Sequence, residues 1–473
     1  MNPTILVLFG ATGDLVAKKI LPALLNLWKE QNLPEQFSIV AYGRRDLTDT
    51  TFRDYVREIL LKRTDLAVDA VTLNSFLEAI SYHQGQFDVE ADYAALSNTL
   101  AAMSDGPTGY VYYLAVPPEL TKTIANGLHG AGLTTDGKDG TRRIIIEKPI
   151  GTSAPSADEI ESVLEKTFAE TQIYRIDHYL AKEMVQNIMA FRFSNSLFEG
   201  IWNNHSIERI DIRLWETLGV ESRGAFYDGL GTLRDVGQNH LLQMLAFVTM
   251  DHPEDFVADE IRHKRAEVLR ALRVWSPKEI VENTRRAQYD GYSSIEGVAK
   301  DSQTETYFRV NAAIDTPRWK NVEIMLESGK RMGRARKEIV VTFKPPENCL
   351  CHADADEHQQ NIITFAIEPK EGIMIDFWSK KPGLDFDVER RSFDFMLRDI
   401  GERSQYIEEY EKLLLDGIIG DQTLFVDKDE VKAMWRFIDP IVNAWKEGAV
   451  PLERYTADTA PDAFSGASVG RRV

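Results

Sequence analysis

The sequence predicts an α/β domain followed by a larger α+β domain built on a mostly antiparallel sheet. Short apolar runs alternate with stretches of helical spacing in the first part of the chain, as in a parallel sheet with crossover helices. Beyond it, strand-like segments follow one another without helices between them, which favours antiparallel pairing. A length of 473 residues also exceeds what one core ordinarily encloses. The expected division is 1–175 and 176–473.

In chain order, ThrIleLeuValLeuPhe at 4–9 is a buried strand, Gly10 to Gly13 a tight turn, and Lys18 to Trp28 a helix with apolar residues at helical spacing. Phe37 to Tyr42 is a second strand ending at Gly43, with a helix around Thr51 to Leu61 after it. Gly109 to Ala115 is a further buried strand, and Ile144 to Ile146, ahead of GluLysPro, a central one whose carboxyl end carries polar residues. The second domain offers Ile207 to Leu214, Tyr307 to Ala313, Val322 to Leu326, Ile339 to Phe343 and Asn361 to Ile367 as strands. The tail from about Thr456, rich in Ala, Asp, Ser and Gly, reads as an irregular end.

Composition excludes several functions. The balance of 74 acidic against 55 basic residues gives −19, which argues against nucleic acid and anionic membrane as partners. No apolar stretch is long enough to span a bilayer, and the chain starts directly into a strand, so export is not expected. Cys349 and Cys351 flank a single leucine and cannot staple distant segments, as suits a reducing cytoplasm. In so acidic a chain, any anionic ligand requires a local gathering of cations, so clusters of Lys, Arg and His carry weight.

The turn GATGDL, Gly10 to Leu15, joins a strand to a helix, where backbone approaches closely and helix amides suit a pyrophosphate. It fits a dinucleotide turn with Lys18 and Lys19 following, or a strand-turn-helix corner without a ligand. After the second strand, Arg44 and Arg45 stand where folds that prefer NAD usually carry an acid. They suit a 2′-phosphate, or a solvated arginine pair, and Asp46 leaves room for some NAD use. The run Tyr174 to Glu183, if helical, puts His178 and Lys182 one turn apart on one face, suited to a phosphate, with Asp177 pointing elsewhere. A surface charge run reads the same way. His240 lies at the start of an apolar helix and is locally either a core histidine or a functional one.

Taken in order, GATGDL, GluLysProIleGly at 147–151, ArgIleAspHisTyrLeuAlaLysGlu at 175–183, ArgGlyAlaPheTyrAsp at 223–228 and ArgAspValGlyGlnAsnHisLeuLeuGln at 234–243 resemble the glucose-6-phosphate dehydrogenase family. The match runs from residue 5 to about 445. The resemblance implies a Rossmann-type NADP-binding domain beside a β+α domain whose sheet forms a dimer interface, in a cytoplasmic homodimer or dimer of dimers. It implies oxidation of D-glucose 6-phosphate to 6-phospho-D-glucono-1,5-lactone, the first step of the oxidative pentose phosphate pathway.

By the same resemblance His240 is the general base and Asp177 orients it. His178, Tyr179 and Lys182 are sugar-phosphate contacts, and Glu216, Asp235 and Lys330 bind sugar hydroxyls. Lys148 sits between substrate and cofactor. Gly10, Thr12, Gly13, Asp14 and Leu15 form the phosphate turn, with Lys19, Arg44, Ala115, Val116 and Pro117 as further cofactor contacts. The chain departs from the family at Ala181, where glycine is common and alanine favours helix. It departs again at Ala335, where a second basic residue usually follows the lysine at 330, and Arg334 or Arg336 is expected to substitute. The tail lacks the aromatic pattern of a second, structural NADP site. CysLeuCysHis at 349–352, with Asp354, Asp356 and His358, has the composition of a metal cluster but reads as a hairpin loop, and no metal is expected.

Overall fold

The computed structural model describes residues 2–63, 66, 68–104, 106–138, 140–346, 359–397 and 408–459. The cysteine-containing segment up to His358, expected as a hairpin loop, lies outside the described residues. The chain divides into two compact units. One comprises Met1–Ala181, Glu254–Arg262 and Tyr406–Lys432; the other comprises Lys182–Pro253, His263–Gln405 and Ala433–Val473.

The first unit is built on β1 (Thr4–Phe9), β2 (Phe37–Gly43), β3 (Ile80–Gln84), β4 (Gly109–Leu114), β5 (Arg142–Ile146), β6 (Ile173–Ile176) and β15 (Phe425–Val426), in the order β15-β6-β5-β4-β1-β2-β3. All pairings are parallel except β15 with β6. Every residue of β1 and β4 is buried, which explains why these strands read as continuous apolar runs: helices cover both faces of a parallel sheet. The chain runs outward from β1 to β3, then returns beyond β1 to β4, β5 and β6. Right-handed crossovers therefore place the two sets of helices on opposite faces, and the order reverses between β1 and β4. Ligands of open α/β sheets bind at such a reversal, at the carboxyl ends of the strands.

A late segment completes this unit. Helix Glu409–Ile419 packs on helix Leu21–Lys29, and β15 adds to the edge of β6. Arg143 donates to the carbonyls of Gly417, at 3.3 Å, and Ile418. Fully buried Arg175 pairs with Glu161 at 2.6 Å and Glu170 at 2.7 Å, and Arg262 reaches the same Glu170 at 2.8 Å.

The second unit carries β7 (Ile207–Trp215), β8 (Thr284–Tyr289), β9 (Tyr307–Ala312), β10 (Glu323–Gly329), β11 (Arg336–Phe343), β12 (Ile362–Glu368), β13 (Gly372–Lys380), β14 (Val388–Met396) and β16 (Leu452–Tyr455). Their order is β14-β13-β12-β11-β7-β10-β9-β8-β16, antiparallel except where β7 meets β10 and β8 meets β16. Along β12 burial alternates residue by residue, the mark of a sheet covered more on one face than the other. Helix Leu233–Leu241 packs on β7 and β10, and runs on into Leu242–Thr249, which packs on helix Glu183–Phe193. The end of that buried helix is tied down by long donors: Arg192 to the carbonyl of Phe247 (3.0 Å), Trp202 to that of Val248 (2.7 Å) and Trp319 to that of Thr249 (2.7 Å). These satisfy carbonyls that would otherwise be stranded without water, at a cost of about 1–3 kcal/mol each.

Candidate active site

At the strand-order reversal, β1 ends in Gly10, whose φ of +78° suits glycine. A Cβ here would lie 2.4 Å from the carbonyl oxygen of Ala115, at the end of β4, so the two strand ends approach backbone to backbone. The Ala115 amide donates to Phe9 (3.1 Å) and the Gly13 amide to Gly10 (2.9 Å), after which the helical turn over Val16–Ile20 begins. Thr12 and Leu15 lie within this turn, and Val116 and Pro117 follow Ala115 on the other side of the crevice. A backbone-lined corner of this kind fits a pyrophosphate. Asp14 is exposed and paired with Lys18 at 2.8 Å, while Lys19 lies 3.6 Å from Glu408. Arg44 extends exposed from the end of β2, its guanidinium 5.8 Å from the centre of the Phe87 ring, and carries no ion pair among the described residues. That leaves a cation over an aromatic ring at the position where the ribose of a dinucleotide ends.

Beyond β5, Glu147 accepts a 2.5 Å hydrogen bond from Tyr113 of β4 and a second from Tyr410. Burial pushes its carboxyl up, with Tyr113, the neighbouring Lys148 and Tyr410 pulling it back. Lys148 is thereby carried on a loop whose preceding residue is fixed from two sides.

The condition under which His178 and Lys182 would share one helical face is not met. Ile173–Ile176 is strand β6, residues 177 to 182 form turns, and the helix starts at Glu183. Tertiary pairing wins over local spacing, because Arg175 and Ile176 lie against β15 and buried Asp177 turns the chain by accepting the Tyr179 amide at 3.0 Å. His178 and Lys182 thus share no helical face, and Ala181 serves no helix. His178 packs beside Tyr179, ring centres 5.0 Å apart, and stacks on Tyr410 at 6.3 Å.

In the second unit the helix carrying His240 begins at Leu233 and not at His240. At its start the Leu233 amide donates to the Glu305 carboxylate, distant in sequence, at 2.9 Å. Burial raises that carboxyl, with the Leu233 amide holding it back. The segment Leu233–Leu241 is wound as a π-helix, its backbone hydrogen bonds spanning five residues instead of four. His240 is 3% exposed, and its amide donates to the Asn239 side chain at 2.6 Å.

Lys330, at the end of β10, is buried, ion-paired with Glu216 at the end of β7, and 3.8 Å from Asp235. The three residues expected to bind sugar hydroxyls therefore form one polar cluster. Lys182 does not join it but pairs with Glu368 at 2.6 Å, and Lys337 pairs with the same carboxylate. Arg334 and Arg336 both lie over Trp215, at 5.9 and 5.5 Å from its ring, and Arg336 also pairs with Glu338 at 2.7 Å. Glu305, Lys337, Glu368, Tyr113 and Tyr410, the partners of these candidate residues or of their neighbours, did not stand out in the sequence, since each acquires its partner through sheet pairing or chain return.

Two family models match in tandem: glucose-6-phosphate dehydrogenase, NAD binding domain, over residues 7–187, and the C-terminal domain of the same enzyme over residues 189–467. The chain belongs to the glucose-6-phosphate dehydrogenase family. A glucose-6-phosphate 1-dehydrogenase of Aggregatibacter actinomycetemcomitans is 38% identical over 469 residues, covering 96% of this chain and 93% of that one. A solved structure described as glucose-6-phosphate dehydrogenase in complex with its substrate glucose-6-phosphate superposes with a TM-score of 0.90 at 30% identity, covering 99% of each chain. Another, glucose-6-phosphate 1-dehydrogenase from Mycobacterium avium, gives 0.84 at 31% identity, covering 98% of this chain and 96% of that one. As a glucose-6-phosphate dehydrogenase the protein is an oxidoreductase of carbohydrate metabolism with NADP as its cofactor. The Rossmann-type first domain and the mostly antiparallel second sheet agree with the expected fold class.

Proposed function

We propose that the protein oxidises the anomeric carbon of glucose 6-phosphate, with His240 as general base and Asp177 as the carboxylate that orients it. What supports this best is that Asp177, His240, Lys182 and Lys330 are each buried in a chain that matches both domains of the family. Residues 1–175 hold the nucleotide, and residues 176–473 hold the sugar and form the subunit contact. NADP, when bound, supplies the hydride-accepting nicotinamide. Gly10, Thr12, Gly13, Asp14 and Leu15 receive its phosphates through backbone; Lys19, Arg44, Ala115, Val116 and Pro117 line the rest, Arg44 taking the 2′-phosphate.

On the sugar side, His178, Tyr179 and Lys182 take the 6-phosphate, and Glu216, Asp235 and Lys330 bind hydroxyls. Lys148 lies between sugar and nicotinamide. His240 removes the proton of the anomeric hydroxyl as the lactone forms, a step worth about 10² to 10⁴ in rate. The protein works in the cytoplasm as a homodimer or dimer of dimers; exposed Phe393 and Phe395 on β14 support an apolar subunit contact. No described helix is long and apolar enough to cross a membrane.

The test is reduction of cofactor by purified protein given glucose 6-phosphate and NADP, with free glucose and with NAD as paired controls. Reduction that needs the sugar phosphate and runs faster with NADP is expected. Equal rates with free glucose would transfer the reading to a non-phosphorylated sugar.

A further inference from the structure

Glu368 accepts from two lysines, and the way it does so resembles an occupied anion site. Lys182 donates to Oε1 at 2.6 Å and Lys337 to Oε2, so each ammonium holds a different oxygen. Two oxygens of a phosphate monoester satisfy the same pair of donors. The lysine side chains are 8% and 16% exposed and the carboxylate 33%, so the cations lie deep and the acid is the member nearest solvent. Burial pushes the Glu368 carboxyl up, but the two lysines more than offset this and leave it below the usual range.

The local fold builds this on purpose-shaped backbone. Register between β11 and β12 shifts between Lys337 and Glu338, and the shift sets Lys337 opposite Glu368. Neighbouring Arg334 and Arg336 lie over Trp215, so the expectation that one of them supplies a second sugar cation is not what the side chains favour. Alternation along a strand sends Lys337 to the other face.

We infer that Lys337 is a second 6-phosphate-binding cation, and that Glu368 is a built-in competitor which the phosphate displaces from Lys182 and Lys337. This rests on the reading of Lys182 as a phosphate contact. A phosphate dianion outbids one carboxylate for two ammonium groups, whereas a singly charged sugar acid does not, so the arrangement selects for the doubly charged group.

The test compares steady-state kinetics of the full chain carrying Lys337→Ala, Glu368→Gln, the double change, and Lys182→Ala. Lys337→Ala should raise KM for glucose 6-phosphate by about tenfold, acting on KM more than on kcat, and Lys337→Arg should recover part of it. Glu368→Gln should lower that KM by about threefold, and the double variant should lose this gain. Should Lys337→Ala fail to fold, Lys337→Gln carries the same comparison. If Lys182→Ala raises KM and Lys337→Ala does not, the assignment of Lys337 is overturned while the phosphate reading stands. If neither changes KM, the phosphate reading itself fails. A raised KM in Glu368→Gln would make Glu368 a support for the lysines, overturning its role as competitor.

Discussion

Single side chains carry the chemistry, and two of them give sharp outcomes. His240→Asn keeps volume and polarity in the buried helix but removes the titrating nitrogen, so turnover should fall at least about a hundredfold with little change in KM for the sugar. Unchanged turnover in a rapid assay would strip His240 of the base role. Arg44→Ala should raise KM for NADP far more than for NAD, because only NADP carries the extra phosphate; equal shifts would mean that Arg44 does not read it. Arg44 was legible because it directly follows a strand and a glycine. Lys337 was not: its neighbours at 334 and 336 are also basic, and only a register shift between two strands decides which cation meets Glu368.

At the scale of elements, a buried acid on helix Glu409–Ile419 makes stability depend on pH. Burial pushes Asp416 up to about 6, with Lys412, 2.6 Å away, holding it back. A folded pKa above the ordinary 3.8 means that the native state keeps its proton longer. Its stabilising contribution is whole below pH 3.8 and is lost as pH rises to about 6. Asp416→Asn should therefore melt at a higher temperature than the parent at pH 7, by about 1–3 kcal/mol in stability, with the gap closing toward pH 4. A gap independent of pH, followed by circular dichroism, would show that Asp416 is not the titrating group. Strand positions were mostly legible, since β1, β4 and β12 have the apolar run or alternation that their burial demands. Whether residues 177–182 are helical stayed open in the sequence because lysine and histidine spacing is a local signal, and the pairing of β6 with β15 comes from far along the chain.

For the whole molecule, the β13–β14 hairpin is the place where the oligomer can be tested. Phe377 and Phe393 stack at 4.3 Å, and Phe393 and Phe395 remain 64% and 46% exposed. Phe393→Asp should lower the mass measured in solution toward that of one chain, and a mass already equal to one chain in the parent would remove the dimer. The completion of the first unit by residues near 406–432 has a consequence for how the chain is made. When residue 181 leaves the ribosome, β6 has an open edge, helix Leu21–Lys29 lacks its cover, and Arg143 lacks its carbonyls. At synthesis rates of about 5–20 residues per second, roughly ten to fifty seconds pass before the closing strand exists. During that interval the nucleotide unit is an unfinished sheet in need of protection from other chains, and no fragment ending near residue 181 should be expected to behave as an independent domain.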